Sequence, residues 1–147
     1  MTRTGFLLLV LPLAGLSADG EERRIFDAIN RERERRGVNK LRWSEKLAEA
    51  AREHSRNMAQ EGFFAHEDPR RGDLGNRLRQ SGISYTACAE NIYTQSGGRD
   101  VVASACRAWM QSSGHKKNIL SMRYERSAIG VARNSAGVFF ATQIFTA

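Results

Sequence analysis

No apolar run in this 147-residue chain approaches the ~20 residues that a membrane-spanning helix needs. The longest, Phe6–Leu16, is interrupted by Pro12 and Gly15, so no membrane-spanning segment is expected. Cysteine is scarce. Cys88 and Cys106 are the only two, too few for a disulfide scaffold. Neither follows the apolar run closely, so a bacterial lipid anchor there is not expected. Short catalytic and cofactor signatures are missing as well: there is no Gly-x-Ser-x-Gly elbow, no His-Glu-x-x-His, no phosphate-cradling glycine loop and no dinucleotide fingerprint. No 20–50-residue repeat is visible. Basic residues outnumber acidic ones, 23 to 16, for a formal charge of +7. They form no basic block with interleaved aromatics. The alternation Arg31-Glu32-Arg33-Glu34-Arg35 reads as a solvated, ion-paired helix face, so nucleic acid is not an expected partner.

What is present begins with a leader. Arg3 gives a positive start, Phe6–Leu16 a short apolar core, and Gly15 and Ser17 small residues at the −3 and −1 positions of a cut. That is the layout of a secretory signal peptide over residues 1–17, cut after Ser17 or Ala18. The expected location is outside the cell or in the periplasm. Removing 17 of 147 residues leaves 130, which suits one domain over residues 18–147. A chain of that size buries enough surface to fold as a monomer without a structural metal. A hydrophobic fraction of 41% and an aromatic fraction of 8% agree with a folded chain.

Periodicity predicts a helix from Glu21 to Arg36, with Ile25, Ala28 and Ile29 as its apolar stripe and Gly37 at its end. Ser44 is a credible N-cap for a second helix reaching about Glu61, striped by Leu47, Ala51, His54 and Met58 and stopped by Gly62. A loop, Phe63–Gly72, precedes a short helix capped by Asp73, which carries Leu74 and Leu78 and ends near Gly82. Residues 83–94 read as irregular or extended. Asp100 caps a helix over Val101–Met110, with Gly114 expected to break it. Ala128–Ala132 and Val138–Phe145, either side of Asn134-Ser135-Ala136-Gly137, read as a hairpin. Helices first and a hairpin last indicate an α+β layered domain.

Three histidines and one acid stand out. His54 sits on the apolar stripe of the second helix, where a lone histidine is usually a buried structural residue. His66 lies in a loop after Phe63-Phe64, and His115 follows Gly114 at the expected helix break. Two such histidines from distant segments, joined by a carboxylate, would make a metal or acid–base site. Glu90, in Ala87-Cys88-Ala89-Glu90-Asn91-Ile92, is the only acid in an uncharged stretch. An isolated acid among apolar neighbours needs a partner if buried. Either a site role or a tie to loop amides would supply one.

Five blocks in order carry a resemblance. They are Asn30-x-x-Arg33 with Gly37-Val38-x-x-Leu41-x-Trp43 and Leu47-x-x-x-Ala51-x-x-His54-Ser55-x-x-Met58-Ala59; then Gly62-Phe63-Phe64-Ala65-His66-x-x-Pro69; then Ala89-Glu90-Asn91-Ile92; then Ala108-Trp109-Met110-x-Ser112-x-Gly114-His115-x-x-Asn118-Ile119-Leu120; and Gly130-Val131-Ala132 with Thr142-Gln143-x-Phe145. Together they resemble the CAP (SCP/PR-1-like, cysteine-rich secretory protein) domain in its compact, exported bacterial form.

The resemblance implies a three-layer α-β-α sandwich with one open cavity. In the family two His and two Glu line that cavity, and some members hold a divalent metal there, often zinc. His66, Glu90 and His115 match three of the four positions. The fourth is a Glu in a Trp-x-x-Glu pattern. Here the pattern reads Trp109-Met110-Gln111-Ser112, so Ser112 stands in its place and removes a negative charge from the cavity. His54 is not one of the four. The metal ligands implied are His66 and His115, with Glu90 as their carboxylate partner or as a base for water. Family members are described as lipid or sterol carriers, defence and toxin components, and proteases. Two functions follow: an exported, non-catalytic module that binds a lipid, peptide or envelope ligand, or a metal-assisted peptidase or esterase in which Glu90 polarises water. The missing acid favours the first. A Cys88–Cys106 disulfide is also expected, since an exported chain with two cysteines has a reason to pair them. Two separate buried thiols are the alternative.

Overall fold

Alternation along the two C-terminal strands divides this molecule into layers. The structure is a computed structural model and describes residues 17–147. The leader therefore lies outside the described residues, apart from Ser17. In strand β3 (Arg126–Arg133), Ile129 and Val131 face one side, while Ala128, Gly130 and Ala132 face the other. In β4 (Phe139–Thr146), Phe139, Ala141 and Phe145 join the first side, and Phe140 and Ile144 join the second. The two strands pair antiparallel. Two further strands complete the sheet. β1 (Arg42–Trp43) runs parallel to β3, and β2 (Cys88–Gln95) runs antiparallel to β4, giving the order β1-β3-β4-β2. β2 is thus an edge strand.

Helix α1 (Ala18–Arg35), α4 (Val101–Gln111) and α5 (Ser113–Leu120) cover the first face. Ile25, Phe26, Ile29, Trp109 and Ile119 pack there against the sheet. Helix α2 (Glu45–Glu61) crosses the second face, and α3 (Leu74–Gln80) joins it through Leu78. This is the α-β-α sandwich expected. Gly130 sets the α2–sheet distance, because a Cβ there would collide with the α2 backbone at Ala51 and Arg52. Ser55 fixes the same crossing by donating to the Gly130 carbonyl at 2.8 Å.

The local chemistry is mostly what the sequence dictates. Ser44 and Asp73 accept from the backbone N–H groups of Leu47 and Asn76, and Asp100 accepts from that of Ala103. Gly62 closes α2 at φ 72°, a left-handed position that glycine takes without strain. The loop after α1 is held by two buried polar residues of that helix. Asn30 exchanges two hydrogen bonds with the Leu41 backbone, at 3.1 and 2.8 Å. Arg33 donates to the carbonyls of Asn39, Ile119 and Ser121. Beyond the short β1, Glu22 accepts from the Val131 N–H and from the Arg52 guanidinium, tying α1 to β3 and α2.

Of the two readings left open for residues 83–94, the extended one holds from Cys88, where residues 88–95 form a regular strand. Three expectations are corrected. The first helix starts at Ala18 rather than Glu21, with Ser17 as its N-cap accepting from the Gly20 N–H. The helix break falls at Ser112, whose backbone is extended at φ −100° and ψ 123°, while Gly114 lies inside the first turn of α5. Cys88 and Cys106 are free thiols. Cys88 packs against the α2 layer and Cys106 against the α1–α4 layer, so the sheet stands between them.

Candidate functional site

Glu90 organises the candidate site. It projects from β2 toward the α2–α3 layer, and it is buried, its residue exposure being 7%. A buried carboxylate needs compensation, and Arg77 of α3 supplies it. Arg77 Nη2 donates to both Glu90 oxygens at 2.9 Å and to the His66 carbonyl at 2.8 Å. His66, in the loop after α2, brings Nδ1 to 3.0 Å from Glu90 Oε1. With Nδ1 donating to the carboxylate, Nε2 is left as the free lone pair, the tautomer of a carboxylate-held metal ligand. The His66 side chain is 59% exposed, so that nitrogen is open to solvent.

His54 stands behind the carboxylate. Its side chain is buried, and Nε2 lies 2.9 Å from the Ala65 carbonyl, to which it donates, and 3.9 Å from Glu90 Oε1. Burial pushes its imidazole below the usual histidine range, against the pull of Glu90. His54 is therefore a neutral wall of the cluster, in keeping with the structural role read from its stripe.

His115 lies on the other layer, on α5. It sits in the first turn of α5 and not at a chain break, and Asn91 of β2 donates to its carbonyl at 3.2 Å. Asn118 of α5 donates to Asn91 Oδ1 at 2.9 Å and to the Glu90 carbonyl at 3.5 Å. His66 and His115 thus approach the free edge of β2 from opposite faces of the sheet. Burial lowers the His115 imidazole below the usual histidine range. His115 Nδ1 is buried without a hydrogen-bond partner. Ser112 makes no side-chain cap bond at the start of α5. The carboxylate implied at position 112 would have been an acceptor in this region.

Among the described residues, no three His, Cys, Asp or Glu side chains converge as a metal-ligand set. Glu90 is engaged with a guanidinium, so any cation here would rest on the two imidazoles alone. The donor set does not fit a three-ligand site. Arg77 was not singled out from the sequence. The signal was there: it shares a helix face with Leu74 and Leu78, and a charge on an apolar stripe requires a buried partner of opposite sign.

The model of the cysteine-rich secretory protein family, CAP, matches residues 26–145. The uncharacterized protein YkwD of Bacillus subtilis is 30% identical over 120 residues, covering 82% of this chain and 46% of YkwD. The chain thus spans less than half the length of that relative. An extracellular protein containing a SCP domain from Bacillus anthracis shares 31% identity at a TM-score of 0.77, over 88% of this chain and 41% of that one. An outer surface protein of Borrelia burgdorferi shares the fold at a TM-score of 0.79 with 14% identity, over 88% of this chain and 94% of that one. With its layers, its His66–Glu90 pair and a match over most of its length, the chain belongs to the CAP, cysteine-rich secretory protein, family.

Proposed function

We propose that this protein is an exported, non-catalytic binding module whose His66–Glu90–His115 cluster engages a lipid, peptide or envelope ligand and can hold a divalent cation such as zinc. One observation carries the non-catalytic reading: both oxygens of Glu90 accept from Arg77. A general base for water needs a carboxylate free to take a proton. Here a guanidinium holds that charge, and the second acid is replaced by Ser112. The leader supports export, as does the relative from Bacillus anthracis described as extracellular. No helix among the described residues is long and apolar enough to cross a membrane. Phe64, half-exposed and two residues before His66 in the chain, is an apolar side chain open to such a ligand.

His66 and His115 would hold the cation, which would offer a Lewis-acid anchor to an oxygen-bearing ligand. Two neutral imidazoles without a carboxylate give a modest affinity that falls as pH drops through the histidine range. Calorimetric titration with zinc tests this. Binding is expected in the parent protein and should vanish in the His66→Ala, His115→Ala double variant. Zinc binding unchanged in that variant would overturn the site. Metal-dependent hydrolysis of a peptide or ester panel, lost on Glu90→Gln, would overturn the non-catalytic reading.

A further inference from the structure

The sheet edge opposite the candidate site carries more positive charge than its neighbours balance. Strand order puts β1 at one edge and β2, with Glu90, at the other. At the β1 edge Arg42 lies beside Arg126 of β3 in parallel register, and both are exposed. None of the ion pairs among the described residues includes Arg42, Arg126 or the exposed Arg123. Lys40 has only an exposed contact with Glu34 at 3.5 Å, and such a contact neutralises little. Glu125 is the one acid within residues 36–43 and 121–126, the two segments that meet here. Like charges held side by side repel, and an anionic partner alongside relieves that repulsion.

Arg33 joins the two segments. It is buried, and it donates to the Asn39 carbonyl in one and to the Ser121 carbonyl in the other. Its charge meets carbonyl dipoles and no carboxylate among the described residues, so it adds to the positive potential of this edge. Lys40, Arg42, Met122 and Glu125 border one open depression of about 490 Å³. Met122 is 84% exposed, against 49% for Phe64, the other exposed large hydrophobic residue among those described. A lone exposed apolar side chain is ordinary on a protein surface. One set among unpaired cations has the pattern of an interfacial anchor, whose apolar atoms enter the acyl boundary while its basic neighbours meet the headgroups.

We propose that the β1 edge is a docking surface for an anionic phospholipid bilayer, with Lys40, Arg42, Arg123 and Arg126 on the phosphate headgroups and Met122 entering between the lipids. Four cations less Glu125 leave a net of three charges, and each basic residue near such a surface strengthens binding about fivefold. Three strand spacings of about 4.8 Å separate β1 from β2. A chain docked by this edge therefore holds His66 and Glu90 at the far side of the sheet, away from the lipid and open to whatever lies in the aqueous phase.

The test is co-sedimentation of residues 18–147, which hold every helix and strand described, with phosphatidylcholine vesicles that contain no phosphatidylglycerol or about 30% of it. Binding to the anionic vesicles is expected to be about 100-fold tighter, and to weaken at least about tenfold between about 25 and about 150 mM salt. Arg42→Glu, Arg126→Glu should weaken it at least about 25-fold. Arg56→Glu, Arg99→Glu makes the same change of net charge at exposed positions on α2 and before α4, and should weaken it less than about threefold. Met122→Ser should weaken it about fivefold, since part of a methionine side chain no longer leaves water. All five positions are exposed, so the fold should survive each change, and circular dichroism checks this. Equal binding to the two kinds of vesicle, or equal loss in the two double variants, would overturn the proposal. Unchanged binding in Met122→Ser would overturn it as well and assign the face to a soluble polyanion.

Discussion

Removing the Glu90 carboxylate should cost far more than the loss of one surface ion pair. In Glu90→Ala, Arg77 keeps only the His66 carbonyl as a partner for Nη2, and its charge remains buried. Exposed pairs contribute about 0–1 kcal/mol. Breaking a buried pair costs about 3–5 kcal/mol, because the remaining charge has no compensation. For a domain of this size 1 kcal/mol moves the melting temperature by about 3–5 °C, between the values for smaller and larger domains. The expected fall is then roughly 9–25 °C. Replacing both partners by Leu removes the stranded charge along with its counter-charge, and apolar substitution of a whole buried pair is often neutral or stabilising. The Arg77→Leu, Glu90→Leu double variant should therefore recover most of the loss. Urea unfolding followed by circular dichroism at pH 7 measures all of the variants, and an unchanged slope against urea would show that only stability has moved. A loss under ~1 kcal/mol in Glu90→Ala would refute the reasoning, since it would make the pair equivalent to a surface one. A double variant as unstable as the single would refute it too.

Other outcomes follow from the same geometry. Gly130→Ala should cost ~1–3 kcal/mol or more by equilibrium unfolding, because its Cβ meets the helix backbone of Ala51 and Arg52, not a side chain that can swing away. Burial depresses His54 in the folded state, so below the unfolded value near ~6.5 the unfolded chain binds more protons. Stability should therefore fall as pH drops from 7 to 5, and His54→Gln should flatten part of that slope in urea titrations at the two pH values. Thiol titration of unfolded, unreduced protein should find two thiols. In the native state Cys106, pushed up to about 11 by burial, should alkylate slowly at pH 8.

Much of this fold was legible because local chemistry and tertiary packing agree. Ser44, Asp73 and Asp100 were visible as caps, and Gly62 as a stop, since each acts on backbone groups within one turn. β2 was harder. Its side chains alternate between Glu90 and Ile92 on one face and Asn91 and Tyr93 on the other, so polar residues stand on both faces and the usual apolar–polar rhythm is lost. Gly114 misled because glycine is a common helix stop. Here it sits in a first turn, and Ser112 takes the extended backbone. The cysteines could not be separated without strand register, which decides the face on which Cys88 falls. His66 and Glu90 meet as the resemblance implied. Arg77, which compensates that acid, becomes evident only when α3 is docked on the sheet.

The position of β2 gives the residues around the site another consequence. An edge strand offers unpaired carbonyls to any strand that comes alongside, including that of a second copy. On β2 the Glu90 carbonyl accepts from Asn118 and the Ile92 carbonyl accepts from the Trp109 indole at 3.0 Å. These two residues of α5 and α4 occupy alternate acceptors along the strand, where a neighbouring chain would otherwise begin to pair. The helices that carry His115 to the cluster therefore also keep the sheet from growing, and a lesion that loosens them would expose an aggregation-prone edge as it dismantled the site.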